Sequence, residues 1–384
     1  LELLAEKAGV QLHAPSPQLE ANKQQRTKLL DLIAAATDYY HHMLTSTPAG
    51  EAARLYLAKR QFSAETIATF QLGYALNEWE ALKTHFLKRG YTANELLEAG
   101  LIVERDDGAQ GYDRFRQRLM IPIRDTRGQV IGFGARALEA DQIPKYLNSP
   151  QGSLFDKSAT LFGLDLAKKQ IRQMDQVVIV EGYMDVIQAY QQKIQNVVAQ
   201  MGTALTEKQV KILKRYTNNF VLALDADTAG SAATLRGIEI ARGSLDREAV
   251  PVPTARGLIR FETRLDANIR IAEMPPGKDP DDILKEGTDV WQQIIQQALP
   301  VVDFYFKSVT DRLDLDSAKD KSTAVESLLP VLRDIRNKVE QQHYVQKMAR
   351  LIRIDERTLL AELNRKSGFG RQKYSSPPAS VGSY

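Results

Sequence analysis

Val177-Val178-Ile179-Val180-Glu181-Gly182-Tyr183-Met184-Asp185 is a run of β-branched apolar residues that ends in an acidic, glycine-containing turn. A short apolar run without alternation predicts a strand buried on both faces. Glu181 then stands at the C-terminal tip, the edge at which open α/β sheets bind ligands. About forty residues on, Phe220-Val221-Leu222-Ala223-Leu224 repeats the pattern and runs into Asp225-Ala226-Asp227. Asp225 and Asp227 lie two apart, so an extended backbone turns both to one side. A third acidic cluster, Asp279-Pro280-Asp281-Asp282, follows a strand-like segment and the turn Pro275-Pro276-Gly277, and is read the same way.

Any one of these clusters reads as solvated loop acids. Three at strand tips of one βα region predict a cage for hard divalent cations. Mg²⁺ prefers oxygen ligands and is commonly held by one or two carboxylates plus substrate phosphates. Crowded carboxylates raise each other's pKa unless a cation neutralises them. Two or more ions, Mg²⁺ or alternatively Mn²⁺, would allow two-metal chemistry at a phosphate. Histidine does not compete for the role, because His41 and His42 are adjacent and do not share a helix face.

Around this motif, strands are expected at Val177–Val180, Val197–Gln200, Phe220–Leu224 and Ile269–Ala272, with helices at about 183–192, 206–216 and 229–242. That alternation is the βαβ signature of a mainly parallel sheet. Residues 243–268 interrupt it as a surface excursion. Upstream, a helix is expected over 25–45. Thr92-Ala93-Asn94-Glu95 reads as a capping box for a short helix that Gly100 ends. Arg127-Gly128 between two apolar runs predicts a hairpin over 120–133. Downstream, Val325, Leu328, Leu329, Leu332 and Ile335, then Val339, Val345, Met348, Leu351 and Ile352, recur at helical spacing and predict packed helices.

Composition sets limits. The 384 residues are enough for two or three domains, and Lys+Arg 51 against Asp+Glu 48 leaves only +3. Charge is uneven, however. From Arg114 to Arg136 six arginines face one aspartate and no lysine, a local balance of +5. Period-2 alternation would put Arg114, Arg116 and Arg118 on one face as a phosphate track, and a basic patch beside an acidic cage suits a polyanion that needs metals. Cysteine is absent, which excludes disulfides, thiol catalysis and cysteine-based zinc sites within the chain. No apolar run is long enough to span a membrane, and a cytoplasmic location is expected. No Gly-x-x-x-x-Gly-Lys-[Ser/Thr] loop occurs, which argues against a helicase motor here.

At Glu181 and Asp225-Ala226-Asp227 the chain resembles the Toprim domain of topoisomerases, bacterial primases, some nucleases and recombination proteins. Upstream, Tyr112-Asp113-Arg114-Phe115-Arg116-Gln117-Arg118-Leu119-Met120-Ile121-Pro122-Ile123 resembles the DnaG-type bacterial primase catalytic core. So do Gly132-Phe133-Gly134-Ala135-Arg136, Pro144-Lys145-Tyr146-Leu147-Asn148-Ser149-Pro150, Glu181–Val186 and Lys278-Asp279-Pro280-Asp281. The similarity runs in order from about residue 20 to 365.

The resemblance implies an α+β and α/β chain of several subdomains. These would be a linker remnant over 1–22, a basic mixed α/β subdomain over 23–165, and a Rossmann-like Toprim subdomain over 166–290. A helical bundle over 291–365 and a flexible linker over 366–384 would follow. The implied activity is synthesis of short RNA primers from nucleoside triphosphates on a single-stranded DNA template, passing through a primer–template hybrid. Glu181, Asp225 and Asp227 would be catalytic and would hold metal with Asp185, Asp279 and Asp281. Arg114, Arg116, Arg118, Arg136, Lys145, Tyr146 and Asn148 would meet nucleotide or template. A zinc module before the chain and a helicase-binding module after it are expected to be missing, and a monomer is expected. Against this stand another Toprim enzyme, topoisomerase- or nuclease-like, and a non-catalytic Toprim DNA-binding protein. The former lacks an obvious tyrosine nucleophile on a separate DNA-gate domain, and the latter commonly has degraded acidic motifs.

Overall fold

A computed structural model describes residues 17–104, 111–139, 141–202, 205–224, 249–253, 259–263, 268–311, 313–335 and 337–364. Asp225 and Asp227, and the helix expected over 229–242, lie outside these described residues. The chain divides into two compact units, Leu1–Leu299 and Pro300–Tyr384.

The first described element is the helix Pro17–Ser46, which begins eight residues earlier than the apolar pattern predicts, because its first turns are polar and exposed. From Leu29 onward it buries Leu29, Leu32, Ile33, Ala36, Tyr40 and Leu44, a stripe at helical spacing. The strands are β1 (Gly73–Ala75), β2 (Ile102–Val103), β3 (Tyr112–Asp113), β4 (Arg118–Arg124), β5 (Val130–Ala137) and β6 (Tyr146–Asn148). β1, β4, β5 and β6 form an antiparallel sheet in the order β1-β4-β5-β6, while β2 pairs with β3. The expected hairpin is β4–β5. Its turn is set by Asp125, whose carboxylate accepts from the Arg127 and Gln129 amides, and by Gly128 at φ +89°. The Thr92–Glu95 capping box is present, and Gly100 follows the helix Ala93–Glu98 at φ +67°.

The second sheet contains β7 (Val177–Val180), β8 (Val197–Ala199), β9 (Asn219–Leu224), β12 (Asn268–Glu273) and the edge strand β13 (Leu299–Pro300), in the order β13-β12-β9-β7-β8. β8, β7, β9 and β12 run parallel, as the βαβ pattern predicts. Every residue of β7 is buried, as are Phe220 to Ala223 of β9, which explains the unalternating apolar runs. Strand order reverses between β7 and β9, so their C-terminal ends flank a topological switch point. Within 243–268 the described residues pair as a hairpin of β10 (Ala249–Pro253) and β11 (Ile259–Thr263).

One apolar cluster joins both sheets. It contains Leu119, Ile121 and Ile123 of β4 together with Val178, Val180, Tyr183, Met184, Trp291 and Ile295. The second unit packs Val302, Phe306, Leu328, Leu332, Val345, Met348 and Ile352 around its own core. Two members of the sequence stripe depart from it: Val339 is 81% exposed and Leu351 is exposed. Val339 starts the helix Lys338–Ile352, where the Asn337 side chain caps its amide and leaves the side chain in solvent.

Where the two sheets meet, a Cβ added at Gly134 on β5 would lie 2.6 Å from the Tyr183 ring. Gly134→Ala should therefore lower unfolding free energy by about 1–3 kcal/mol in chemical denaturation, with Tyr183 displaced from β5.

Candidate active site

The acidic side of the site is built at chain reversals. Glu181 leaves β7, and Gly182 opens the helix Tyr183–Gln191. Asp185 Oδ2 accepts from the Gly182 amide at 3.1 Å, so this carboxylate also caps the helix. At the third cluster the extended spacing read from sequence is corrected. Asp279 is the N-cap of the helix Pro280–Glu286 and accepts from the Asp282 amide at 2.9 Å, while Asp281 lies in the first helical turn. Proline at the first helical position, which needs no amide donor, favours this helix start. One carboxylate oxygen each from Asp279, Asp281 and Asp282 still falls within 4.8 Å of the others.

Asp281 is buried, and its Oδ2 accepts from Arg60 at 2.6 Å and from Lys285. Its Oδ1 is buried and has no hydrogen-bond partner in the protein. Arg60 follows the helix Glu51–Lys59, 221 residues from Asp281, and sequence reading missed it. Tyr56, 5.3 Å from the Arg60 guanidinium, was missed as well. No local motif marks either residue.

The basic side is a cross-strand quartet. Gly134 pairs with Asn148 and Arg136 with Tyr146 in the β5–β6 register. Residues opposed in this way, two apart along each strand, share one face of the sheet. Arg136 donates to the Tyr146 hydroxyl and lies 5.1 Å from that ring and 5.2 Å from Tyr56. Tyr183 donates to Asn148 Oδ1 at 2.7 Å. Burial raises the pKa of both tyrosine hydroxyls, so each remains neutral. A cavity of about 290 Å³ is lined by the carboxylates Glu181, Asp185, Asp279 and Asp281 together with Arg60, Arg136, Lys145, Tyr146 and Asn148.

The expected arginine track is corrected. Residues 114–117 are not strand, and Gln117 has φ +53°, which breaks the period-2 alternation. Arg114 donates to the Asn148 carbonyl at 3.1–3.3 Å. Arg118 is 5% exposed and donates to the Pro144 carbonyl at 2.8 Å. Arg116 stacks on the Trp79 and Tyr112 rings. None of the three lines the cavity described above. Arg114 and Arg118 instead hold the 144–148 segment that presents Lys145, Tyr146 and Asn148.

The oxygen donors suit a hard cation. Several carboxylates line one cavity, and Asp281 Oδ1 is buried with no protein partner. The basic part of the lining, Arg60, Arg136 and Lys145, suits phosphate oxygens, because it offers two guanidinium groups and an ammonium.

Comparison with known proteins agrees with this geometry. A family profile described as the N-terminal domain of the DNA primase catalytic core matches residues 39–168, and a Toprim-like profile matches 178–257. A solved DNA primase domain from Pseudomonas aeruginosa has a TM-score of 0.70 at 33% identity, covering 87% of this chain and 99% of that one.

This chain belongs to the DnaG-type primase catalytic-core family.

A DnaG primase catalytic domain solved with bound single-stranded DNA has a TM-score of 0.69 at 32% identity, covering 85% of this chain and 99% of that one. The DNA primase of Clostridium acetobutylicum is 34% identical over 390 residues, which is 97% of this chain and 61% of that protein. The chain thus spans about three-fifths of that relative's length. A third profile, described as the DnaB-helicase binding domain of primase, matches residues 302–357. This corrects the expectation that such a module lies wholly outside the chain. The apolar stripe in that region reads from sequence as packing, and its buried members do pack.

Asp113 is a buried carboxyl group on β3, next to Arg114 in sequence. It is 3% exposed, accepts from the Leu82 and Lys83 amides at 2.7 and 2.9 Å, and has its pKa raised to about 6 by burial. A carboxyl group raised on folding stabilises the fold below its unfolded pKa of about 4, and that contribution is lost as pH rises through 6. Urea midpoints should therefore fall between about pH 4 and pH 6 relative to Asp113→Asn, in which this dependence is removed.

Proposed function

We propose that this chain synthesises short RNA primers from nucleoside triphosphates on a single-stranded DNA template. The observation that carries this reading is one cavity lined both by carboxylates and by arginine and lysine side chains. A triphosphate fits between them: its anionic oxygens meet Arg60, Arg136 and Lys145, while the carboxylates bind the ions that accompany it. The bound Mg²⁺ or Mn²⁺ would lower the pKa of the attacking hydroxyl and offset charge on the leaving pyrophosphate. In the transfer itself, the primer 3′ hydroxyl loses its proton to solvent, its oxygen bonds to the α-phosphorus, the bond from that phosphorus to the bridging oxygen breaks, and pyrophosphate leaves.

The protein residues divide this work. Glu181 and Asp185, fixed by the end of β7 and the helix start, hold ions on the switch-point side, together with Asp225 and Asp227 by sequence. Asp279 and Asp281 hold ions from the other helix start. Arg136, seated on Tyr146 and Tyr56, gives a pre-aimed guanidinium, and preorganised charge of this kind stabilises developing negative charge. Asn148, held by Tyr183 and Arg114, offers its side-chain amide to the nucleotide. For the helical unit we infer contact with a replicative helicase, supported by the profile over 302–357.

Incubation with single-stranded DNA, labelled nucleoside triphosphates and Mg²⁺ should yield short RNA products. Glu181→Gln should lower synthesis by about 100-fold or more with an unchanged far-UV circular dichroism spectrum. Full activity in that variant would overturn the assignment of Glu181.

A further inference from the structure

Lys285 stands at the third acidic cluster without lining the cavity. It lies in the last turn of the helix Pro280–Glu286, four residues after Asp281. Its ammonium donates to Asp281 Oδ2 and lies 3.8 Å from Asp282. An Asp–Lys pair at this spacing contributes little when both ends stand in water. Here the two ends differ. The Asp281 side chain is 3% exposed and that of Lys285 is 30% exposed. The buried end also belongs to the cavity lining, and its Oδ1 meets no group of the protein. Arg60 shares Oδ2 with Lys285, yet the two cations are held in different ways. Arg60 reaches that oxygen at 2.6 Å from the end of the helix Glu51–Lys59, with its guanidinium 5.3 Å from the Tyr56 ring. Lys285 is a point charge on a flexible four-carbon stem that reaches solvent. Lys278, the other lysine beside the cluster in sequence, is paired with Glu286 at 2.5 Å.

Charge separates the roles further. Asp279, Asp281 and Asp282 bring three carboxylates together, and Arg60 and Lys285 offset two of those charges. A buried carboxylate such as Asp281 needs a partner, because an uncompensated buried charge is strongly destabilising. A divalent cation added to both basic groups would leave this cluster with excess positive charge. A divalent cation that replaces the ammonium leaves it balanced. We propose that Lys285 is a displaceable counter-ion: it balances Asp281 when no divalent cation does so, and swings into solvent when one binds. This rests on the reading of these carboxylates as metal ligands and extends it to how the ion is loaded. Uptake is an exchange of one cation for another, so the affinity of the cluster by itself is held low. Phosphate oxygens supply further ligands, which favours arrival of the ion together with a nucleoside triphosphate.

Mn²⁺ titration of the chain without nucleotide or DNA, read by the electron paramagnetic resonance signal of free Mn²⁺, tests this apart from synthesis. Lys285→Gln should tighten one Mn²⁺ site about tenfold, the effect of removing a neighbouring positive charge at a partly exposed position. Lys285→Arg keeps a cation there and should bind Mn²⁺ no more tightly than the parent. The gain should vanish when Lys285→Gln is combined with Asp281→Asn, as a direct coupling of the two positions requires. After treatment with EDTA, Lys285→Gln should melt at a lower temperature than the parent, and saturating Mn²⁺ should bring the two midpoints together. An ion pair that serves the fold alone would lower both midpoints equally and leave Mn²⁺ affinity unchanged. Equal or weaker Mn²⁺ affinity in Lys285→Gln overturns the exchange. If primer synthesis by the parent persists alongside that result, only the role of Lys285 falls. If neither parent nor variant binds Mn²⁺, the reading of the carboxylates as metal ligands falls with it.

Discussion

The contact between the Tyr183 ring and the bare backbone of Gly134 is the constraint on which the site depends. Tyr183 begins the helix that follows β7, and Gly134 sits in the middle of β5. Because position 134 carries no side chain, the helix start lies directly against the antiparallel sheet. The Tyr183 hydroxyl reaches Asn148, the register partner of Gly134. Glu181 and Asp185 flank Tyr183 in sequence, while Arg136 and Tyr146 flank the Gly134–Asn148 pair on the same sheet face. Close approach at one point therefore brings acids from one sheet and cations from the other to one cavity. The shared apolar cluster makes the approach rigid, since close-packed interiors resist small displacements.

Charge balance follows from that proximity. Carboxylates gathered at one cavity repel one another, and burial increases the cost. Asp281 shows how part of this is offset within the protein, since Arg60 and Lys285 both reach its Oδ2. Removing one partner from a buried pair is strongly destabilising, whereas forming the pair contributes little net stability. Conservation of folding energy alone would be met as well by an apolar trio. The ionic arrangement instead keeps a guanidinium at the cavity wall in a fixed orientation, and the stacking of Arg136 between Tyr56 and Tyr146 does the same by another route.

What was legible in the sequence was local. The runs at 177–180 and 220–224 declared buried parallel strands, Thr92–Glu95 declared a helix start, and Arg127-Gly128 declared a hairpin, because each rests on contacts within a few residues. Glu181, Asp279 and Asp281 were legible for the same reason: acids at strand and helix ends are positioned by the adjacent backbone. Arg60 and Tyr56 were not, because their place beside Asp281 depends on two elements more than two hundred residues apart. Asp281 was found with the wrong backbone, since the spacing Asp-Pro-Asp is compatible with an extended tip and equally with proline opening a helix behind an Asp cap.

The arginines between 114 and 118 show why a charge run cannot be assigned as a block. Formal charge is the same for all three, yet burial and backbone separate them. Gln117 turns the chain through a positive φ, so the alternation needed for one shared face never forms. Burial lowers the pKa of both Arg114 and Arg118, and each spends its donors on a carbonyl of the 144–148 segment. A guanidinium with its donors already engaged in the interior has little left for a phosphate, but it can fix the loop that carries Lys145 and Asn148. Arg116 lies over the exposed Trp79 ring and the half-buried Tyr112 ring and donates to the Asp113 carbonyl. The patch is thus three differently placed guanidinium groups, which a sum of charges, taken alone, treats alike.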